Sequence, residues 1–176
     1  MKYKNSIHLD KIDFYFNNNH FIILPAIDLN LNQKLIQNFY TLCNENEILT
    51  LISYENLSQR FTLKHAKMFL ENSIKEFNKK NLTFYLVKNQ IVGVFMVKDI
   101  NPSIYPEIGY FLKRSERNKG LGKTFISLMV QNISYYFNGL EAIVHKNNIP
   151  SLIILKQLNF KQIEINNDFI KLRKLF

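Results

Sequence analysis

The sequence predicts an α/β chain of the α+β kind, built on one largely antiparallel sheet. Short apolar runs of strand-like composition alternate with segments whose apolar residues recur at helical spacing. Short turns join most neighbouring strand candidates, and only one strand–helix–strand crossover is required. A chain of 176 residues is long enough to bury roughly 70% of the surface that its unfolded form exposes. We therefore expect a single domain over residues 1–176.

The N-terminal half predicts a hairpin followed by two helices. The run "NNN" at positions 17–19 is typical of a turn between the strands "IDFYF" and "FIILPAI". Apolar residues recur at helical spacing from Leu31 to Asn44. A second helix is expected from about Thr62 to Lys79, with Thr62 as its N-cap.

The C-terminal half predicts three strands and then two helices that alternate with strands. The strands "LTFYLVK" and "IVGVFMVKDI" are joined at Asn89-Gln90, as in a two-residue hairpin, and "INPSIYP" turns into "PEIGYFLK". A helix is expected from about Gly122 to Phe137, followed by the strand "LEAIVH" and the helix "NIPSLIILKQL". The segments "NFKQIEI" and "FIKLRKLF" close the chain as an antiparallel pair.

Composition limits the partners and the compartment. The formal net charge of +9 favours anionic partners, and it fits a lysine-rich solvated surface equally well. The single cysteine, Cys43, excludes an internal disulfide and lies on the apolar side of its predicted helix, which favours a buried, inert thiol. No apolar run has the length of a signal peptide or a membrane span, so we expect a cytoplasmic protein.

The stretch "RNKGLGKT", Arg117 to Thr124, is the strongest candidate for a binding loop. It holds two of the five glycines of the chain, between a predicted strand and a predicted helix. Glycines there let backbone N–H groups approach an anion, and the start of the helix adds the positive end of its dipole. The ending resembles a nucleoside-triphosphate P-loop, but that pattern requires glycine at position 117. A solvated turn with basic residues is the alternative.

The surroundings of this loop resemble the GNAT acetyltransferase superfamily over about residues 83–165. The pattern Arg117-x-x-Gly120-x-Gly122 is similar to that family's pyrophosphate loop, and Asn148-x-x-Ser151 with Phe160 is similar to its next conserved block. The strand "EIGYFL" resembles the branch of ribosomal-protein and polyamine N-acetyltransferases. Two positions depart from the pattern: Asn159 replaces the usual glycine, and Leu155 stands where many members carry a catalytic tyrosine.

The resemblance implies the GNAT fold, with a mixed, mostly antiparallel sheet of six to seven strands and about four helices. The family's fourth and fifth strands, here "EIGYFLK" and "LEAIVH", would splay apart and hold the pantetheine arm of acetyl-CoA between them. Phe111, Leu112, Lys113 and Arg114 would then be backbone partners of the arm, and Asn148 would lie on its other side. No metal is implied.

The same resemblance assigns the remaining cofactor-binding residues. Lys156 would reach the adenosine phosphate, unless it is a solvated helix lysine. Ser151 would contact the cofactor as well. The diphosphate would be held by Arg117, Asn118, Lys119, Gly120, Leu121, Gly122 and Lys123.

Two residues are candidates for proton transfer. The acceptor amine must lose a proton, since an ammonium has no lone pair, and Glu107 lies where family members often place a general base. A surface carboxylate is the alternative, with Glu141 and Glu55 as further candidate bases. Because Leu155 cannot protonate the departing thiolate, Ser151 is the candidate acid. The alternatives are a thiolate that leaves unassisted and a proton from Tyr110, Tyr135 or Tyr136.

The expected function is transfer of an acetyl group from acetyl-CoA to a primary amine, directly in a ternary complex. The acceptor is a protein N-terminus or a small-molecule amine. A catalytically inactive module of the same fold that binds nucleic acid or the ribosome is the alternative, motivated by the charge. The resemblance also implies a homodimer through the last strands. No membrane partner is expected, since the longest apolar run is too short to span a bilayer.

Overall fold

The computed structural model describes residues 7, 9–46, 48, 61–100 and 105–176. Within them lie eight strands and four α-helices. The strands are β1 (Ile12–Phe16), β2 (Asn19–Pro25), β3 (Leu82–Val87), β4 (Ile91–Lys98), β5 (Glu107–Leu112), β6 (Gly139–His145), β7 (Lys161–Ile165) and β8 (Phe169–Leu175). The helices are α1 (Gln33–Cys43), α2 (Leu63–Lys75), α3 (Leu121–Ile133) and α4 (Ile149–Gln157), with 3₁₀ turns at Ala26–Asp28 and Arg114–Glu116.

All eight strands form one sheet in the order β1-β2-β3-β4-β5-β6-β8-β7. Neighbouring strands are antiparallel except β5 and β6, which are parallel. The α+β class and the mixed, mostly antiparallel sheet are confirmed, but the expected count of six to seven strands is too low. The C-terminal strand β8 pairs along its whole length with β6, from Gly139↔Leu175 to His145↔Phe169. The preceding strand β7 therefore becomes an additional edge strand outside β8.

Helices cover the two faces of the sheet in sequence-consecutive pairs. On the face that we call the α1/α2 face, Tyr85 of β3 contacts the Phe39 ring of α1 and its hydroxyl lies 2.7 Å from the Ser73 hydroxyl of α2. On the opposite α3/α4 face, a Cβ at Gly122 of α3 would lie 3.3 Å from the side chain of Leu112 in β5. The core thus lies on both sides of the central strands.

Local signals in the sequence account for the turns and helix starts. Asn17 and Asn18 take left-handed conformations, with φ of 46° and 58°, in the two-residue turn between β1 and β2. The side chain of Asn32 caps α1, and Thr62 caps α2 with a reciprocal bond from His65. The second hairpin differs from expectation, because β3 ends at Val87 with a register shift and its connection includes Lys88.

The sequence predicts that α2 and α3 extend further towards the C-terminus than they do in the structure. Helix α2 ends at Lys75 instead of near Lys79, and Asn78 has a left-handed φ of 61° that a helix cannot continue through. Helix α3 ends at Ile133 instead of Phe137. Amphipathic spacing continues past both ends, and it therefore did not reveal where the hydrogen-bonded helix stops.

Two further expectations concern burial and hydropathy. Cys43 is fully buried, and burial raises the pKa of its thiol, which agrees with an inert residue. Among the helices within the described ranges, none combines the length and the apolar character required to cross a membrane.

Candidate active site

The sheet opens between the parallel strands β5 and β6. Their register joins the pair Glu107↔Glu141, where the Glu141 amide donates to the Pro106 carbonyl at 3.0 Å. The described residues that follow on the two strands are not paired with each other, so a gap begins at this pair, which is its narrow end, and extends towards the carboxyl ends of the strands. We call this opening the β5/β6 gap. It matches the splay that the resemblance implied.

Hydrogen-bond alternation decides which backbone groups of β5 point into the gap. The Lys113 amide donates to the Val92 carbonyl of β4 at 2.8 Å. In an antiparallel ladder every second residue bonds the same neighbour, so Phe111 also points towards β4. Tyr110 and Leu112 point the other way, into the β5/β6 gap.

This alternation corrects part of the expected cofactor contacts. The amides of Phe111 and Lys113 face β4, and the Arg114 amide donates to Glu45 Oε2 at 2.7 Å. Of the four residues expected to offer backbone groups to a bound arm, only Leu112 points into the gap. Tyr110 is the second residue of β5 whose backbone groups point into the gap. The sequence alone does not predict this orientation, because it does not give the register of β4 and β5.

The other wall of the gap is β6. The amide of Lys146 donates to Asp168, and the amide of Phe176 donates to Asn138. Even-numbered residues of β6 therefore bond β8, and odd-numbered ones face β5. Ile143 accordingly directs its N–H and C=O into the gap, opposite Tyr110 and Leu112. Two strand edges with inward-pointing amides suit an extended, amide-containing ligand that would bind as an additional strand.

The "RNKGLGKT" stretch follows the carboxyl end of β5 and includes the first turn of α3, which begins at Leu121. Asn118 and Gly120 have left-handed φ values of 59° and 85°, and Gly120 is the N-cap of α3. The first-turn amides of the helix have no intrahelical partner and carry its positive dipole end. A Cβ at Gly122 would meet Leu112 at 3.3 Å and Ile154 at 3.4 Å, so glycine lets α3 pack close to β5 and α4. This arrangement can bind an anion through its main chain.

The basic side chains of the loop have different roles. Arg117 donates from Nε to the Leu112 carbonyl at 2.8 Å, and its guanidinium lies 3.6 Å from Glu45. Lys119 lies 3.8 Å from Glu116, while Lys123 is exposed in the first turn of α3. Arg117 thus connects the loop to β5 through Leu112 and to the chain just beyond α1 through Glu45. The sequence predicts neither contact. Lys156 of α4 is also exposed.

Paired carboxylates lie at the narrow end of the gap, on the α1/α2 face. Lys98, Glu107, Glu141 and Arg173 are cross-strand neighbours on β4, β5, β6 and β8. The Lys98 ammonium lies 2.8 Å from Glu107 Oε1. Glu141 accepts from Arg173 and, at 2.7 Å, from Lys171. Like charges on adjacent strands repel, and a cation on each outer side offsets that repulsion.

The two carboxylates differ in their suitability as a base. Partial burial alone would raise the pKa of Glu141, but the hydrogen bonds and charges of Lys171 and Arg173 outweigh it and lower the pKa below its ordinary value. Glu141 is therefore a weak proton acceptor. Among the described residues, the Glu107 carboxylate contacts the Lys98 ammonium through Oε1. The third candidate, Glu55, lies outside the described residues.

A pair of hydroxyls joins β5 to α4 on the α3/α4 face. The Tyr110 hydroxyl lies 2.8 Å from Ser151 Oγ, and the Ser151 amide donates to the Asn148 side chain at 3.3 Å. Burial raises the pKa of Tyr110 to about 12, although its bond to Ser151 acts in the opposite direction. Leu155, at the position where a tyrosine was expected from the resemblance, is fully buried in the core.

Comparison with known proteins identifies the arrangement. The family model described as "Acetyltransferase (GNAT) domain" matches residues 31–161. A search of curated proteins gives no significant match.

Among solved structures, the microcin C7 self-immunity acetyltransferase MccE, in complex with acetyl-CoA and AMP, is similar over 89% of this chain and 92% of its own, with a TM-score of 0.69 and 22% identity. The ribosomal-protein-S5-alanine acetyltransferase from Vibrio fischeri covers 93% and 96%, with a TM-score of 0.72 and 16% identity. The Campylobacter jejuni N-acetyltransferase PseH, in complex with acetyl coenzyme A, covers 88% and 98%, with a TM-score of 0.63 and 19% identity.

Because the sequence identities are this low, the similarity to these solved structures supports the fold alone. The family model covers most of the chain, and it includes the loop, both walls of the gap and the Asn148–Ser151 turn. This chain therefore belongs to the GNAT acetyltransferase family.

Proposed function

We propose that this protein transfers an acetyl group from acetyl-CoA to a primary amine, directly in a ternary complex. The observation that supports this most strongly is the β5/β6 gap, lined by inward-pointing backbone groups and ending at an anion-binding loop. An amide-rich arm with a diphosphate at one end matches that combination of a β-edge and a helix start.

In this proposal the cofactor contacts follow the backbone geometry. Tyr110, Leu112 and Ile143 bind the arm through their main chains. The amides from Asn118 to Lys123 bind the diphosphate, assisted by the charges of Lys119 and Lys123. Asn148 holds the start of α4 against the gap, and Lys156 contacts the adenosine phosphate. The Leu112 amide, which points into the gap, is suited to stabilise negative charge on the thioester oxygen.

We assign the two proton transfers of the reaction to residues on opposite faces of the sheet, beside the gap. Glu107, on the α1/α2 face, accepts the proton that the amine loses, directly or through water. Ser151, on the α3/α4 face, protonates the departing sulfur. The separation of the two groups suits a reaction in which the amine arrives on one side of the thioester and the thiol leaves on the other.

The acceptor that we propose is a primary amine, either at a protein N-terminus or on a small molecule. The Vibrio fischeri neighbour is a ribosomal-protein acetyltransferase by its description, which supports testing peptides first. The resemblance to the family implies that the segment "YENLSQR" and the helices around it form the acceptor side, but this segment lies outside the described residues.

Thermal stability with different ligands tests the proposal. At about 100 times its dissociation constant, a ligand adds about 2.7 kcal/mol to the free energy of unfolding. For a chain of this length the melting temperature should rise by about 5 to 10 °C with acetyl-CoA. ATP-Mg²⁺ and a short RNA serve as comparison ligands, and thiol release from acetyl-CoA in the presence of amines measures turnover.

The outcomes separate the functions. A rise with acetyl-CoA together with amine-dependent thiol release supports the transferase. A rise with RNA and none with acetyl-CoA would replace it with the nucleic-acid-binding module that the charge of +9 suggests. A rise with ATP-Mg²⁺ alone would contradict both.

A further inference from the structure

The hydroxyl of Tyr110 contacts the hydroxyl of Ser151, the residue proposed to protonate the leaving thiolate. Tyr110 and Ser151 are 41 positions apart in the sequence, yet their oxygens are 2.8 Å apart. Tyr110 belongs to β5 and Ser151 to the first turn of α4. The bond therefore connects a wall of the β5/β6 gap to the helix that carries the candidate acid.

Only one hydrogen can lie between the two oxygens. A phenol is a stronger acid than an alkyl alcohol, so Tyr110 is the better donor and Ser151 Oγ the better acceptor. The pKa of Tyr110, raised to about 12, keeps the phenol protonated at neutral pH. When Tyr110 donates, the hydrogen of Ser151 must point elsewhere.

The backbone of Ser151 is also fixed. Its amide donates to the Asn148 side chain, the N-cap of α4, and Asn148 in turn follows β6 through the turn in which its own amide donates to His145. Two rotations then remain, about the Cα–Cβ bond and about the Cβ–Oγ bond. The contact with Tyr110 fixes the first by holding Oγ in place and limits the second, which directs the hydrogen.

We propose that Tyr110 is a positioning residue for acetyl transfer: it donates its hydrogen bond to Ser151 Oγ and so directs the Ser151 hydrogen into the β5/β6 gap. This inference rests on the proposed function. As the carbon–sulfur bond breaks, its electron pair goes to sulfur, and Ser151 gives its proton to the thiolate. The Tyr110 bond stabilises the negative charge left on Ser151 Oγ, which regains a proton from solvent water. The proton that Glu107 accepted from the amine returns to solvent, so the two proton transfers balance.

Tyr110→Phe tests the proposal, because it keeps the ring and removes the hydroxyl. The assay uses acetyl-CoA with an N-terminal alanine peptide and with spermidine. The expected result is a fall in kcat of about 10- to 100-fold, with KM for acetyl-CoA unchanged within twofold. Tyr110→Phe combined with Ser151→Ala should be no slower than Ser151→Ala alone, since the tyrosine acts through the serine.

Tyr85→Phe is the matched control. Tyr85 is another buried tyrosine whose hydroxyl contacts a serine, Ser73 at 2.7 Å, but it lies on β3 against α2. Loss of that bond should lower the melting temperature and leave kcat unchanged. Equal effects of the two substitutions on kcat would show that a buried tyrosine–serine bond acts only on stability, and would overturn the proposal.

The remaining outcomes are also decisive. Full kcat in Tyr110→Phe, with an active wild-type protein, overturns the role of Tyr110 and leaves the proposed function intact. Additive losses in the double variant would show that Tyr110 acts independently of Ser151, and would also overturn it. A wild-type protein that releases no thiol with either amine, or with water, would overturn the proposed function and this inference together.

Discussion

Asparagine occupies most of the left-handed backbone positions in this chain. Among the described residues other than glycine, positive φ values occur at Asn17, Asn18, Asn78, Asp99, Asn118 and Asn159. Asparagine and aspartate tolerate this region better than other residues with a side chain because their short polar groups bond locally. An asparagine-rich chain with five glycines can therefore keep turns that other sequences build with glycine, including the loop before α3.

Asn159 offers a quantitative test of this substitution. It ends α4 in a Schellman arrangement, in which the Phe160 amide donates to Leu155 and the Asn159 amide to Lys156. Because φ is 64° there, Asn159→Ala should lower the free energy of unfolding by about 1 kcal/mol. Asn159→Gly, the matched control, should change it by less than about 0.5 kcal/mol. Urea denaturation measures both, and equal losses would contradict the conformational explanation.

Glu107 is tested at the same scale by a change that keeps its shape. Glu107→Gln should lower kcat about 100-fold, because the amide cannot accept a proton, while KM for acetyl-CoA is retained. The control is Glu141→Gln at the paired position, which should keep its turnover since the lowered pKa of Glu141 already makes it a weak base. A full rate for Glu107→Gln from about pH 6 to 9 would show that another group accepts the proton.

At the scale of elements, local signals predict the order of strands and helices but not their neighbours. The Asn-Asn turn, the Thr62 cap and the strand alternation are properties of adjacent residues, and these expectations are confirmed. The insertion of β8 between β6 and β7 depends on tertiary pairing. For the same reason the resemblance to the family was enough to assign Lys113 to the gap but not to orient its backbone, because alternation gives a backbone direction only once the register is known.

The link between the chain just beyond α1 and the loop proposed to bind the diphosphate is the clearest contact that the sequence did not predict. Glu45, just beyond α1, accepts from the Arg114 amide at 2.7 Å and lies 3.6 Å from the Arg117 guanidinium. The contact partners are 69 positions apart, and no motif marks Glu45. A carboxylate beside a loop for anions is unfavourable by charge alone, so its presence indicates that it holds the loop in shape.

This interpretation predicts the sign of a change in affinity. Glu45→Ala should weaken acetyl-CoA binding about tenfold, equivalent to about 1.4 kcal/mol, although it removes a negative charge near the diphosphate. Glu116→Ala also removes a negative charge beside the loop, where the carboxylate lies 3.8 Å from the ammonium groups of Lys88 and Lys119, and this variant should bind as tightly as wild type or tighter. Calorimetry measures both constants. Tighter binding by Glu45→Ala would show that charge outweighs loop geometry.

At the scale of the molecule, the sheet consists of two halves joined at the narrow end of the gap. Strands β1 to β5 form one half and β6 to β8 the other, and Glu107↔Glu141 is the recorded backbone pair between them. A substitution at a residue that contacts both halves is therefore expected to change the stability of the whole sheet. A bound cofactor that pairs with both edges would add contacts across the same junction, which explains why the melting temperature is a sensitive test of binding.

The cross-strand charges at this junction predict how stability depends on pH. The Glu141 side chain is 13% exposed and bonded to Lys171 and Arg173, so its pKa is lower in the folded state than in the unfolded chain. A lowered pKa stabilises the fold above the unfolded value, about 4.3, and this contribution disappears as the pH falls through the folded value. At pH 7, Glu141→Gln should lower the free energy of unfolding by about 1.5 to 3 kcal/mol, the range for hydrogen bonds to charged groups. The difference from wild type should diminish steadily as the pH decreases below about 4. Urea denaturation of both proteins over this pH range measures it, and a difference that stays constant would show that the loss comes from packing instead of charge.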